Sequence, residues 1–263
     1  MMEPPRFPDV DAPNAARMYD YFLGGSANFA VDREAAEQAL AITPEIAKFS
    51  RANRAFLFRV VRLLCARGVD QFLDLGSGIP TVGNVHEIVQ ARNPRAKVAY
   101  VDREPIAVAH AKALLRDHEQ VTATQADIRY PREVLAAPGV AEFLDFTRPV
   151  AVLAVAILHF IADEDDPVEL MTAYRDACCA GSYLAVSHAS AQSLTPDEVR
   201  RGQQLYRTTD TPLVSRSYEQ IAAFFPGYQL LAPGVVPVGE WRPDAAAGVD
   251  HSINGYGGLG LLR

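Results

Sequence analysis

The run Pro149–Leu158, PVAVLAVAIL, is ten consecutive apolar residues with no polar alternation. A strand with one wet face alternates apolar and polar side chains, so this run reads as a strand buried on both faces, the central position of a parallel sheet. It is about half of the roughly 20 residues that a helix needs to cross a bilayer, so no membrane span is expected. A strand of this kind requires helices above and below it, which places the chain in the α/β class.

The rest of the sequence supplies the alternation. Residues 53–67 carry a helical stripe of Phe56, Val60, Leu63 and Leu64, stopped by Gly68. Gln71–Leu75 reads as a strand, and Gly76-Ser77-Gly78 turns it into a helix expected over about Val82–Ala91, before Pro94. Lys97–Val101 and Val121–Gln125 are further strands, separated by a helix that Pro105 opens. Pro167 opens a helix with the stripe Leu170, Met171, Tyr174 and Ala177, and Ser182–Ser187 is the next strand. Tyr228–Val238 is expected to pair antiparallel with Ile253–Leu262. Residues 1–50 and about 191–226 fall outside the alternation. The expected organisation is an N-terminal helical extension or lid over 1–50, followed by a main domain over 51–263 with an insertion at about 191–226.

Charge narrows the partners. The 263 residues hold 32 Asp and Glu against 25 Lys and Arg, a formal charge of -7, which disfavours nucleic acid and anionic membrane surfaces. The first residues, MMEPPRFPDVDAP, carry acids and prolines where a secretory signal has basic and then apolar residues, so a cytoplasmic location is expected. Cys65, Cys178 and Cys179 have no metal-ligand spacing and read as reduced thiols. Oligomeric state is left open.

In open α/β sheets the ligand cleft lies beyond the carboxyl ends of the strands. Phe72-Leu73-Asp74-Leu75-Gly76-Ser77-Gly78 occupies that place. Its glycines allow a ligand close to the backbone, although Gly-x-Gly alone is a weak signal. Asp102 follows 24 residues after Gly78, the spacing of a carboxylate that holds a ribose, and Asp127 after the next strand can accept from an adenine amino group. Either Asp alone also reads as a helix cap or turn former. Asp74 discriminates among ligands: two residues before the first glycine, it would repel a pyrophosphate and attract a cation such as S-adenosylmethionine. The third glycine of the dinucleotide fingerprint is also missing, with Thr81 following Ile79-Pro80.

Several stretches together carry a resemblance: Ala16-Arg17-Met18-Tyr19-Asp20-Tyr21-Phe22-Leu23-Gly24-Gly25, Asn28–Arg33, Ala52–Leu57, Phe72–Thr81, Val101-Asp102, Leu158-His159-Phe160, Asp163–Pro167 and Ser187-His188-Ala189. The chain resembles class I S-adenosylmethionine-dependent methyltransferases, and specifically the actinobacterial S-adenosyl methyltransferase family once classed as a domain of unknown function. The resemblance implies a Rossmann-like, seven-stranded, mostly parallel sheet in the order 3-2-1-4-5-7-6, with helices on both faces and the last strand antiparallel. It implies S-adenosylmethionine as cofactor. Gly76, Ser77 and Gly78 would line the methionine moiety, Asp74 would stand near its ammonium, and Asp102 would hold the ribose. Asp127 and Ile128, with Arg103 beside them, would hold the adenine, and Ala156 would lie near the sulfonium.

Methyl transfer needs the acceptor placed in line with the methyl, and a base only if the acceptor must lose a proton. His159 and His188, each just past a central strand, are the candidate bases, or else packed core histidines. Asp163–Asp166 with these histidines could be drawn as a metal site, but helix capping and the helix macrodipole account for acids before Pro167, and no metal is expected. Tyr19, Tyr21 and Phe22, ahead of a hinge at Gly24-Gly25, are candidate lid or substrate residues, with Asn28 and Arg54; the aromatics read equally as the docking face of a helix. The expected function is methylation of a small-molecule acceptor. A non-catalytic S-adenosylmethionine-binding protein or sensor, and an NAD-dependent oxidoreductase, are the alternatives.

Overall fold

Side-chain alternation along each strand explains the architecture. Phe72, Val98, Tyr100, Ala151 and Leu153 pack into one apolar cluster, while Leu73, Leu75, Val101, Val152 and Ala154 pack into another on the opposite face. Both faces are dry, which is why these strands show no polar alternation. The computed structural model describes residues 11–80, 83–209, 211–244 and 254–263. The expectations that touch residues 1–10, Thr81, Val82 and Ile253 lie outside the described residues.

The strands are β1 (Gln71–Leu75), β2 (Lys97–Asp102), β3 (Val121–Gln125), β4 (Ala151–Val155), β5 (Tyr183–Ala189), β6 (Tyr228–Leu230), β7 (Val236–Pro237) and β8 (Gly255–Leu262). Their order is β3-β2-β1-β4-β5-β8-β6, with β7 also paired to β8. The first five are parallel, and β8 is antiparallel to β5, β6 and β7. The expected order holds once the two-residue β7 is counted as an addition. The central strand is shorter than the apolar run that announced it, because residues Leu158–Phe160 coil into a 3₁₀ turn.

The helices are α1 (Ala15–Phe22), α2 (Ala30–Ile42), α3 (Ile46–Ala66), α4 (Val85–Gln90), α5 (Pro105–Leu114), α6 (Pro131–Ala136), α7 (Pro138–Ala141), α8 (Pro167–Asp176), α9 (Pro196–Tyr206) and α10 (Tyr218–Ala222). Phe56, Val60 and Leu64 of α3 are fully buried, and Phe56 meets Trp241 edge to face at 5.4 Å between ring centroids. α3 starts at Ile46 rather than near Asn53, so residue 50 lies inside a helix. Pro44 sets that start, since proline disfavours helix in the residue before it. Asp166 caps α8 by accepting from the Glu169 amide, which gives that acid a structural role.

Residues that break the alternation fold against the cleft end of the sheet. Asn14 caps α1 and donates through Nδ2 to Glu104 at 2.8 Å, while the buried Arg17 pairs with Asp32 at 2.8 Å and reaches Glu104 at 3.4 Å. Glu104 follows β2, so α1 is fastened directly beside the strand ends. A buried, hydrogen-bonded ion pair of this kind fixes position more than it adds stability.

Candidate functional site

The carboxyl ends of the parallel strands open into a cleft of about 1130 Å³, its mouth included. It lies where strand order reverses, at β1 between β2 and β4. Asp74, Gly76, Ser77 and Gly78 line it from β1 and its turn, Asp102 and Arg103 from the end of β2, Asp127 and Ile128 from beyond β3, and Ala156 from beyond β4. Tyr19 of α1 and Arg54 of α3 complete it.

The turn is shaped by a close approach. Gly76 has φ +69°, and a Cβ there would stand 2.4 Å from Ile157 Cγ1, so no side chain fits. The Gly76 amide donates to the Val101 carbonyl at 2.8 Å, and the Gly78 amide donates to Asp102 Oδ2 at 2.6 Å. Asp102 Oδ1 accepts from the Glu104 amide at 2.9 Å. Burial raises the Asp102 carboxyl, while these N–H groups draw it back down. Each oxygen retains a further lone pair for a ligand hydroxyl.

Asp74 and Arg54 form the charged part of the cleft. Burial pushes the Asp74 carboxyl up to about 7; the Arg54 guanidinium pulls it down and Asp102 pushes it further up. Arg54 Nε is buried and has no hydrogen-bond partner among the described residues. An unsatisfied buried donor costs about 1–3 kcal/mol, so this nitrogen is set to receive an acceptor. An ammonium beside Asp74 and a carboxylate beside Arg54 would satisfy both groups, and a free amino-acid end carries that pair. Arg54, expected among the substrate or lid residues, lines the same cleft as Asp74.

Asp127 accepts from Arg129 Nε at 3.0 Å and Nη2 at 2.6 Å. Burial works to raise its carboxyl, but Arg129 outweighs burial and holds it below the ordinary value. Arg103 Nη2 donates to Thr211 Oγ1 at 3.2 Å, tying the end of β2 to the segment before α10. Ala156 has φ +55°, a left-handed conformation costing a non-glycine residue about 1–3 kcal/mol. Its amide is held by Ser187, at 3.1 Å to the carbonyl and 2.9 Å to Oγ. Ser187 Oγ donates to Asn53 Oδ1, Asn53 Nδ2 to Tyr19 Oη at 2.9 Å, and Tyr19 Oη to the Ser50 carbonyl at 3.1 Å. This chain of hydrogen bonds links the strained end of β4 to α3 and α1. Ser187 carries no sequence signal for that role, nor do Arg129 and Thr211 for theirs.

The two histidines do not share the cleft. His188 is fully buried; its Nδ1–H donates to the Ala189 carbonyl at 2.6 Å, and Nε2 accepts from Arg216 Nη1 at 3.2 Å. Burial lowers it to about 4. Ser187 takes the face toward Asn53, so alternation along β5 turns His188 to the other face, where it stacks on Phe224 at 5.9 Å. It is a core histidine, contrary to the expectation of a base. His159 lines a neighbouring cavity instead of the cleft. Its Nδ1 accepts from the Ala189 amide at 3.3 Å, which leaves the proton on Nε2, and burial with the nearby His188 and Arg216 keeps it well below the ordinary histidine value. A neutral ring whose acceptor nitrogen is already occupied is not arranged as a general base.

The expected hinge after α1 is a clasp. Asp20 Oδ2 accepts from the Ala27 amide and from Asn28 Nδ2, both at 2.8 Å, and a Cβ on Gly25 would fall 2.0 Å from Asp20 Oδ1. Tyr21 donates to Glu37 at the surface, and Phe22 is buried against the neighbouring cavity. Gly25, Asn28, Tyr21 and Phe22 therefore shape the extension without lining the cleft.

Comparison with known proteins agrees with this geometry. The family described as S-adenosyl methyltransferase matches residues 2–263. The crystal structure of a DUF574 family protein from Streptomyces avermitilis is similar, with 37% identity, TM-score 0.91 and coverage of 97% of this chain and 99% of that one. A protein from Thermobifida fusca is similar at 36% identity and TM-score 0.90, covering 100% of both chains. The N-methyltransferase NodS from Bradyrhizobium japonicum, in complex with S-adenosyl-L-homocysteine, shares the fold at 12% identity and TM-score 0.54 over 94% of this chain and 99% of that one. No curated protein matches the sequence. Among the described residues no helix is long and apolar enough to cross a membrane. A Rossmann-like sheet, an acid-lined glycine turn and a match along nearly the whole sequence converge: the chain belongs to the S-adenosyl methyltransferase family and is an S-adenosylmethionine-dependent methyltransferase.

Proposed function

We propose that the cleft holds S-adenosylmethionine through its two ends and directs the methyl to a small-molecule acceptor. The observation that carries this reading is the buried Asp74 in the same cleft as Arg54, whose Nε is buried and has no hydrogen-bond partner among the described residues. Asp74 would receive the ammonium, Arg54 the carboxylate, Asp102 the ribose hydroxyls, and Asp127 with Ile128 the adenine. A pyrophosphate has no place opposite Asp74, which argues against NAD. When bound, the cofactor supplies an electrophilic methyl: the acceptor's lone pair forms the new bond to carbon as the carbon–sulfur bond breaks with its electrons onto sulfur.

The chain's own contribution is placement. Ser187 fixes Ala156 in its strained conformation at the methyl end, and Tyr19, held by Asn53 and Ser50, closes the cleft from α1. Neither His159 nor His188 is arranged to take a proton, so an acceptor's proton would leave to water. The described part of the N-terminal extension, residues 11–50, acts as a lid fastened through Glu104, and about 191–226 as an insertion that completes the acceptor side. A cytoplasmic location fits the acidic chain. A co-crystal with S-adenosylhomocysteine tests the arrangement: the amino-acid end should lie between Asp74 and Arg54. A methionine moiety pointing away from both would refute it.

A further inference from the structure

A second cavity of about 970 Å³, its mouth included, adjoins the cleft and shares Ala15, Tyr19 and Phe160 with it. Its walls come mostly from α1, α2, the start of α3, α9 and the segment after α9, segments a bare sheet does not need, and are completed by residues just after β4, at the end of β5 and before β8. We propose that this chamber is the acceptor site and that it selects an uncharged, predominantly apolar small molecule whose reactive atom lies at the Tyr19 and Phe160 boundary; the inference rests on the cofactor reading above.

Three observations carry it. The chamber meets the cleft at Ala15, Tyr19 and Phe160, so a molecule seated in it can present an atom to the cofactor. The lining is apolar, with Phe22, Ile42, Phe49, Leu205, Tyr206 and Leu213 among its residues, and the described lining contains no Lys or Arg. An anionic acceptor would thus lose its hydration without gaining a counter-charge. Of the two lining carboxylates, Glu198 is occupied by the amide and hydroxyl of Thr195 at 2.7 Å each. The other carboxylate, Glu45, is half-exposed, and the remaining polar lining is hydroxyls, Asn254 and His159, whose Nε2 carries its proton. A few oriented polar groups in an apolar chamber select a neutral molecule with one or two polar atoms.

Gly202 gives a clean test. It lies on α9, lines the chamber, and has no atom within 4 Å of where its Cβ would stand. The full-length protein is first saturated with S-adenosylhomocysteine, then titrated by calorimetry with 1-naphthol and, separately, with 1-naphthoate. The expected result is saturable binding of 1-naphthol, at least tenfold tighter than 1-naphthoate. Gly202→Phe should weaken 1-naphthol at least tenfold and leave S-adenosylhomocysteine within twofold of wild type, while Gly202→Ala behaves as wild type. Absence of saturable 1-naphthol binding, equal binding of the two probes, or indifference to Gly202→Phe with the homocysteine ligand still bound overturns the proposal. Should Gly202→Phe fail to fold, the two wild-type titrations decide alone. Failure of S-adenosylhomocysteine to bind the wild type instead strikes the cofactor reading.

Discussion

The amide of Gly78 donates to Asp102 Oδ2 over 2.6 Å, joining the glycine turn after β1 to the carboxylate at the end of β2. One acid thus shapes the turn and faces the ribose position. A hydrogen bond to a charged group is worth about 1.5–3 kcal/mol, so Asp102→Ala should raise the dissociation constants of both S-adenosylhomocysteine and adenosine at least about tenfold. Calorimetry measures both, and unchanged adenosine binding would remove Asp102 from the ribose site.

Arg54 separates the two ends of the cofactor. Its Nε is buried and lacks a partner among the described residues, so Arg54→Met should weaken S-adenosylhomocysteine about tenfold or more while leaving adenosine, which has no amino-acid end, nearly unaffected. Equal losses for the two ligands would count against a carboxylate contact.

Asp74 makes cofactor binding pH-dependent. Its carboxyl is raised to about 7 by burial, and a cation prefers the ionised form. Below pH 7 binding must expel a proton, so affinity should fall by up to about tenfold per pH unit, and Asp74→Asn should abolish that slope. Because the folded-state value lies above the ordinary one, the folded chain binds the extra proton between about pH 4 and 7, and stability from this group declines as pH rises through that window. Asp74→Asn should therefore raise the melting temperature of the ligand-free protein at pH 8. A lowered melting temperature, or a pH slope that survives the substitution, would contradict this assignment.

Both central histidines should stay neutral. Burial lowers His188 to about 4 and keeps His159 well below its usual range. Imidazole proton resonances followed by NMR from pH 8 to 5 should show no titration for either ring. A midpoint near 6.5 for His159 would restore it as a candidate base.

The clasp at Asp20 predicts a steric penalty. Gly25→Ala places a methyl 2.0 Å from Asp20 Oδ1, and overpacking of this kind costs about 1–3 kcal/mol. Denaturant unfolding should show that loss. Full stability would mean that the turn yields freely, as a hinge would.

The sheet was readable because its signals are local. The doubly buried run through Ala151–Val155, the stops at Gly68 and Gly181, and the acids at strand ends follow from residue chemistry and short-range periodicity. The orientation of His188 was not legible because the face a residue takes near the end of β5 depends on strand phase, and Ser187 and His188 differ by one position, while His159 was carried to the neighbouring cavity by the 3₁₀ turn after β4. Arg216 was not legible either: it joins His188, Asp163 and the carbonyls of Leu158 and Ile161 from up to 58 residues away. Glu104 likewise carries no sequence signal for its role, and only the packing of α1 shows it receiving Asn14 and Arg17.

The most direct test of the account is a pair of calorimetric titrations of the wild-type protein at pH 8, one with S-adenosylmethionine and one with NAD. The arrangement of Asp74 and Arg54 predicts one-to-one saturable binding of S-adenosylmethionine and no measurable binding of NAD. Tighter binding of NAD than of S-adenosylmethionine would contradict it.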